Sequence, residues 1–145
     1  MREAIEKVLD AMKEDYKSWS DRCAKGEKER AINTTMYEEY CDGLMIEENR
    51  RYWKITGKSG SSRTVKGFIV KAGDKKFREG DMLKPAGWAA PARNFARGNV
   101  LDGVGKVRWT GIGEYGTECK NYWNKYFTFY VSYLYFLFLR TKFLV

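Results

Sequence analysis

The spacing of apolar residues changes once along the chain, and this change constrains the fold more than any other feature. Over residues 3–23 most apolar residues are separated by three or four positions, as in one helical stripe: Ile5, Val8, Leu9, Met12, Tyr16, Trp19 and Cys23. After residue 49 apolar residues alternate with polar ones and turn residues become frequent, which is typical of short strands. The sequence therefore predicts helices followed by a sheet.

A second helix is predicted over residues 27–41, with an apolar face made of Ile32, Met36 and Tyr40. Two helices joined by a short turn form an αα-hairpin. The first helix is expected to bury one side of its stripe against the sheet, namely Ile5, Leu9, Met12 and Tyr16.

The alternating pattern predicts strands at 51–56, 64–71 and 107–110, and a short apolar strand around Met82. Strands of this length and spacing favour a small, strongly bent sheet. The predicted fold class is therefore α+β, with an N-terminal helical pair packed on a small bent antiparallel sheet or an SH3-sized β-barrel.

Residues 85–100 form a poor strand, since they contain two prolines, two glycines and several alanines. Residues that precede proline are pushed away from the helical region, so we expect a long loop. One short helical turn is predicted around residues 92–96. Long loops inside compact domains are often functional.

The last part of the chain has a different composition. Residues 126–139 are 14 uncharged and largely aromatic residues. As a helix they would span about 21 Å, which is short of a ~30 Å hydrocarbon core, so membrane contact is disfavoured. We divide the chain into a helical pair (1–46), a basic β-rich body that forms one domain with it (47–116) and an aromatic accessory tail (117–145). The tail is either a docking element or an out-of-frame extension.

Charge is distributed unevenly over these parts. The formal net charge is +8 for the whole chain, but it is −3 for residues 1–46 and +9 for residues 47–109. A basic segment of this kind indicates a polyanionic partner or a merely soluble basic surface.

Several chemistries are excluded or weakened by what the chain contains. Histidine is absent, which removes the usual proton shuttle and the Ser/His and Cys/His nucleophile pairs. The glycines at 111, 113 and 116 match a dinucleotide-binding motif in letters, but too little chain follows to complete that fold. Gly57-Lys58-Ser59 lacks the earlier glycine of a phosphate-binding loop, because Tyr52 stands there. We therefore expect no enzyme activity and no cofactor.

Cysteine usage and the N-terminus indicate a cytoplasm. Cys23, Cys41 and Cys119 are odd in number and widely spaced, which fits three reduced thiols better than a disulfide framework or a metal site. The first residues are charged and lack the apolar segment of a signal peptide.

Aromatic and cationic residues interleave repeatedly in the basic body. Phosphates are contacted by Arg and Lys, and unstacked bases pack on flat rings. The candidate nucleic-acid-binding residues are Lys84, Trp88, Arg93, Arg97 and Arg108. In the alternative interpretation, residues of a strand alternate in direction, so that Trp53 and Trp109 belong to the core and the nearby cations merely lie outside.

The central stretch contains GDMLKPAGWAAPARNFARGN, followed after nine residues by WTG. This pattern resembles one found in small uncharacterised proteins of tailed bacteriophages, over roughly residues 1–111. The resemblance implies a phage origin and a host cytoplasm, and it implies no activity. The chain departs from the pattern by continuing well past the WTG motif.

Together these observations predict a non-enzymatic phage accessory protein whose basic face contacts nucleic acid. The second hypothesis is an inhibitor or modulator that binds the surface of a host protein.

Overall fold

The computed structural model describes residues 1–104 and 107–113, and the predicted tail lies outside the described residues. The chain begins with two helices, α1 (Arg2–Cys23) and α2 (Glu27–Gly43). Four strands follow: β1 (Met45–Glu48), β2 (Tyr52–Ser59), β3 (Ser62–Val70) and β4 (Met82–Leu83). The strands form one antiparallel sheet in the order β1-β2-β3-β4. The predicted α+β arrangement of a helical pair on a small antiparallel sheet is confirmed, and the sheet is open rather than a barrel.

Helix α1 packs one stripe on the sheet. Ile5, Val8 and Met12 are fully buried in a cluster with strand residues, and Tyr16 is nearly so. Leu9 is only partly buried at the margin of this cluster, so its predicted place in the core is taken by Val8. The reason is a small rotation of the stripe, because residues 5, 8, 12 and 16 follow one line on a helix and residue 9 lies beside it.

Strands β2 and β3 form a long hairpin whose turn is only two residues, Gly60 and Ser61. Gly60 has a φ of +59°, a conformation that glycine adopts without steric cost. Residues 57–59 and 62–63, which lie between the two predicted strands, are therefore strand as well. The predicted strands at 51–56 and 64–71 are confirmed with extended ends, whereas β1 was not foreseen.

A β-bulge interrupts the hairpin. Ile55 pairs with Gly67 and Thr56 pairs with Val65, which leaves Lys66 without a partner across the ladder. A bulge of this kind bends the strand and redirects a side chain. Here it directs Lys66 towards the helices, where its ammonium lies 5.6 Å from the centre of the Tyr40 ring.

The long segment after β4, residues 85–100, contains no helix, so the predicted helical turn at 92–96 is wrong. The segment runs back along β4 instead: the Arg97 N–H donates to the Met82 carbonyl (2.7 Å), and the Met82 N–H donates to the Gly98 carbonyl (2.8 Å). The Ala92 N–H donates to the Lys84 carbonyl. Because these N–H groups bond across to β4, they cannot form the local bonds that a helix requires.

The predicted strand at 107–110 is also wrong, since only an isolated bridge joins Arg108 to Gly111. The Gly111 N–H donates to the Arg108 carbonyl, which closes a tight turn, and the Ile112 N–H donates to the Lys66 carbonyl at 2.7 Å. Gly111 has a φ of +126°, and a Cβ there would lie 2.5 Å from the Lys66 carbonyl oxygen. Both constraints require glycine at this position.

The sheet has a core on each face. The helical face holds a cluster of buried residues: Ile5, Val8, Met12, Ile55, Ile69, Met82, Val100 and Ile112. The opposite face holds Tyr52, Phe68, Val70, Phe77 and Leu83, and Ala96 of the long segment packs against it. The long segment therefore covers the face of the sheet that the helices leave open.

The α1 packing predicts unequal costs for two similar truncations. Ile5→Ala should lower the free energy of unfolding by about 2–5 kcal/mol, because the removed methyl groups leave a cavity in the helical core. Leu9→Ala should cost clearly less, because Leu9 lies at the margin of the same core. Urea denaturation followed by circular dichroism measures both, and equal costs would contradict this packing.

Candidate functional site

Arg93 is half-buried, and its guanidinium is bound by groups of the fold. Its guanidinium donates two hydrogen bonds to the Asp74 carboxylate, at 2.8 and 2.9 Å, and one to the Tyr52 hydroxyl. It also lies 5.0 Å from the centre of the Phe77 ring. The Asp74 side chain is only 4% exposed, so this is a sheltered, bidentate ion pair. Arg93 therefore ties the long segment to the β3–β4 connection.

This ion pair shifts the titration of both partners. The Arg93 hydrogen bonds, with N–H donors from Lys76 and Phe77, hold the pKa of Asp74 well below its usual range. The same carboxylate raises the pKa of Arg93. The Asp74 charge is thus stabilised by donors that surround it.

Arg97 is buried and Lys84 is half-buried. Arg97 is 6% exposed, and its guanidinium lies 3.7 Å from the centre of the Phe95 ring. Lys84 is half-buried at the end of β4. Because the predicted helical turn at 92–96 does not form, Arg93 and Arg97 make separate contacts, with Asp74 and with Phe95.

Trp88 lies at the surface, 49% exposed. The Lys54 ammonium lies 3.7 Å from the centre of its ring, and the Arg63 guanidinium lies 5.6 Å from it. The Lys54 side chain is 5% exposed and its ammonium is 3.4 Å from the Glu47 carboxylate, with which Arg63 also pairs. Trp88 therefore covers a compensated lysine on one side and presents its remaining ring surface to solvent.

A second group of rings, which we call the aromatic cluster, joins the helices to the segment after residue 106. It consists of Tyr16, Trp19, Tyr37, Tyr40 and Trp109. Tyr16 stacks on Tyr40 with 4.6 Å between ring centres, and Trp19 lies 5.2 Å from Trp109. Rings at these distances attract one another beyond the area that they bury.

Four rings of the aromatic cluster, all except Tyr37, line a cavity of about 220 Å³ between the helices and the β2–β3 hairpin. Lys66 reaches this cavity from the bulge, with its ammonium 5.8 Å from the Trp109 ring centre. Burial lowers the pKa of Lys66. Lys58 and Thr64 of the hairpin line the same cavity, and so does Glu39 of α2.

The main chain of Trp109 is fixed on both sides. Its N–H donates to the Asp15 carboxylate of α1 (2.9 Å), and its carbonyl accepts a hydrogen bond from the Tyr40 hydroxyl of α2 (2.7 Å). Burial raises the pKa of Tyr40, so this hydroxyl keeps its proton. Arg108, beside Trp109, is exposed.

Sequence reasoning found part of this arrangement. It singled out Trp88 and Arg108, both of which lie at the surface. Its alternative interpretation placed Trp53 and Trp109 in the core: Trp53 packs at the core margin, and Trp109 belongs to the aromatic cluster. It did not find the aromatic cluster, although Trp19 and Tyr40 lie on the helical stripes. The available signal was that both predicted helices carry aromatic residues in their C-terminal halves, namely Tyr16 and Trp19 in the first and Tyr37 and Tyr40 in the second.

The chain was compared with protein families, curated proteins and solved structures. Residues 1–114 match the model of one family, described as "Family of unknown function (DUF7717)". The chain belongs to this family. No curated protein and no solved structure matches it.

The DUF7717 match ends one residue after the described part of the chain, so it includes the long segment and the aromatic cluster. The predicted tail at 117–145 lies beyond the residues that the DUF7717 model matches. Because the family has no assigned function, the site of this DUF7717 chain must be interpreted from its own residues.

Within 1–104 and 107–113, no three acidic or cysteine side chains are grouped so that they could hold a metal ion. In the same ranges, no helix is long and apolar enough to cross a bilayer. Cys23 and Cys41 are free thiols there, and Cys119 lies outside the described residues.

The Arg93–Asp74 pair predicts a pH-dependent stability. The pKa of Asp74 is depressed in the folded state relative to about 3.9 in the unfolded chain. Its contribution is therefore present above that value and is lost as pH falls through the folded pKa. Urea midpoints measured from pH 6 down to pH 2 should fall less for Asp74→Asn than for the parent.

The matched control is Asp102→Asn. Asp102 pairs with Arg78 at the surface, where its side chain is 67% exposed and water screens the pair. This substitution should leave the pH dependence close to that of the parent. If Asp74→Asn also leaves it unchanged, the buried ion pair is not what holds the long segment.

Proposed function

We propose that this chain is a non-enzymatic phage accessory protein that binds single-stranded nucleic acid with its basic face. The observation that carries the proposal is the position of the β2–β3 hairpin between two sets of accessible rings. Arg63 of the hairpin approaches Trp88 on one side, and Lys66 approaches Trp109 on the other. Proteins that bind single strands combine cations that follow the backbone with rings on which bases stack.

The exposed cations of this face are available for phosphates. Lys58 on β2 and Arg108 in the 108–111 turn are exposed, and neither forms an ion pair within the described residues. Serine hydroxyls at 59, 61 and 62 surround the hairpin turn and are exposed as well. These groups offer charge and hydrogen bonds without demanding a particular sequence.

The contacts of the other candidate residues favour supporting roles. The Arg93 guanidinium donates hydrogen bonds to Asp74 and Tyr52, and Arg97 is buried. Both are therefore better placed to stabilise the long segment than to contact phosphates. Trp88 is positioned by that segment and retains an exposed ring. We therefore place Trp88, Lys58 and Arg108 in the proposed interface, with Arg93, Arg97 and Lys84 behind it.

The phage setting and the host cytoplasm are supported by the resemblance of the GDMLKPAGWAAPARNFARGN stretch to small proteins of tailed bacteriophages. The lack of histidine in the whole sequence supports a binding role over catalysis. A nucleic-acid partner is consistent with the net charge of +9 over residues 47–109.

Fluorescence anisotropy with labelled single- and double-stranded oligonucleotides tests the proposal. Each phosphate contact on a single strand contributes about 0.7 to the slope of log affinity against log salt, so Lys58→Ala with Arg108→Ala should reduce the slope by about 1.4. Trp88→Ala should weaken single-stranded binding by about 1–3 kcal/mol if a base stacks on the ring, and double-stranded binding less.

The matched control is Lys25→Ala with Lys28→Ala, which removes two exposed cations at the α1–α2 connection, away from the hairpin. This variant should bind with the slope of the parent. The absence of binding by the parent at low salt, where nonspecific contacts are strongest, would rule out the nucleic-acid function.

A second candidate function, an inhibitor or modulator of a host protein, is favoured by one feature of α2. Its predicted apolar face is largely uncovered: Ile32 is 60% exposed and Met36 is 49% exposed, and Trp19 of α1 is 41% exposed. Exposed apolar strips of this kind often mark protein-binding surfaces.

Affinity capture from nuclease-treated bacterial lysate distinguishes this candidate from the first. If α2 docks on a protein, the parent should retain a discrete protein band that Ile32→Glu with Met36→Glu loses. Glu27→Gln with Glu29→Gln, at the start of the same helix, is the control and should keep the band. A band that survives the Ile32 and Met36 changes would contradict docking by this face.

A further inference from the structure

We propose that the cavity lined by the aromatic cluster binds one unstacked nucleobase together with its phosphate. The site rests on the proposed function, because it would hold a single nucleotide of the strand that the basic face binds. It is separate from Trp88, which lies on the opposite face of the sheet with Lys54. None of its helical residues was among the sequence-predicted binding residues.

The size and lining of the cavity fit a single planar ring system. Its volume of about 220 Å³ is below the roughly 300 Å³ at which sites for drug-sized ligands begin. Trp19 contributes a ring that is 41% exposed at the rim, and Trp109 and Tyr40 contribute rings further in. Every base has a π-face that can stack on such rings.

The charge pattern of the cavity favours a ligand with an anionic group. Lys66 is half-buried against Tyr40 and Trp109, and within the described residues it forms no ion pair. An ammonium that is drawn out of water in this way gains from a phosphate that approaches it. Lys58 lines the same cavity between Gly57 and Ser59, and Glu39 is the single carboxylate among the described lining residues.

The walls of the cavity are fixed before any ligand binds. Trp109 is hydrogen-bonded through its main chain to both helices, by Asp15 and by Tyr40. The β-bulge positions Lys66, and the Lys66 carbonyl accepts a hydrogen bond from the Ile112 N–H. A site that is already ordered loses less entropy on binding than one that must form.

Ligand-observed NMR titration of the full chain tests the site with uridine and adenosine 5′-monophosphates, the two nucleosides and ribose 5-phosphate. We expect the monophosphates to bind more tightly than the nucleosides or ribose 5-phosphate. Trp19→Ala should weaken binding of nucleosides and monophosphates by about fivefold or more. Trp19→Phe, which keeps an aromatic ring, should retain most of the parent's affinity for these ligands. Lys66→Met, which keeps the length of the side chain, should reduce monophosphate affinity to that of the nucleoside.

Phe95→Ala is the matched control, since it removes a ring that is 48% exposed and lies outside the cavity lining. It should leave all affinities unchanged. No binding of either monophosphate, or equal binding by Trp19→Ala, overturns the site. If oligonucleotides bind the parent and Trp19→Ala alike, the proposed function stands and the cavity assignment fails. Monophosphate binding without oligonucleotide binding supports the cavity and rejects the wider nucleic-acid function.

Discussion

The junction around Trp109 is the interaction on which the rest of the structure depends. The Trp109 N–H and carbonyl bond to Asp15 and Tyr40, one on each helix, and the Ile112 N–H bonds to the Lys66 carbonyl on β3. A single short segment thus joins α1, α2 and the hairpin through main-chain groups that would otherwise be left unsatisfied in a partly buried place. The β-bulge, the aromatic cluster and the cavity all adjoin this junction.

The two faces of the sheet are stabilised by different means. The helical face is closed by apolar side chains, for which removal from water is the main driving force. The other face has an apolar core as well, but it is covered by a segment without helix or strand, which polar contacts such as the Arg93–Asp74 pair hold in place. Charges that leave water are tolerated only when they are paired and hydrogen-bonded, which explains why Asp74 has so many donors. This network shapes the segment and leaves Trp88 facing outward.

The sequence predicted the individual helices and strands better than the contacts between them. Periodicity identified both helices and the β2–β3 hairpin, because each is decided by neighbours within a few residues. It could not show that α1, about 33 Å long, extends past the core, so that Ile5 is buried while Trp19 on the same stripe is exposed. The strand predicted at 107–110 does not form, for a similar reason. The main chain of Trp109 is hydrogen-bonded to helices far away in sequence, which no local pattern reveals.

Local sequence is an incomplete guide to the candidate site as well, because the formal charge overstates the positive charge that a partner can contact. Salt dependence arises from cations that neutralise phosphates, and a cation already paired with a carboxylate gains less from doing so. Arg93 is compensated by Asp74, and Lys54 and Arg63 share Glu47, so part of the positive charge in the basic body acts inside the fold. The remaining attraction is concentrated where cations lie beside rings without a carboxylate at hand. That condition selects the part of the β2–β3 hairpin where Lys66 lies beside Tyr40 and Trp109, rather than the long segment whose composition first suggested a binding loop.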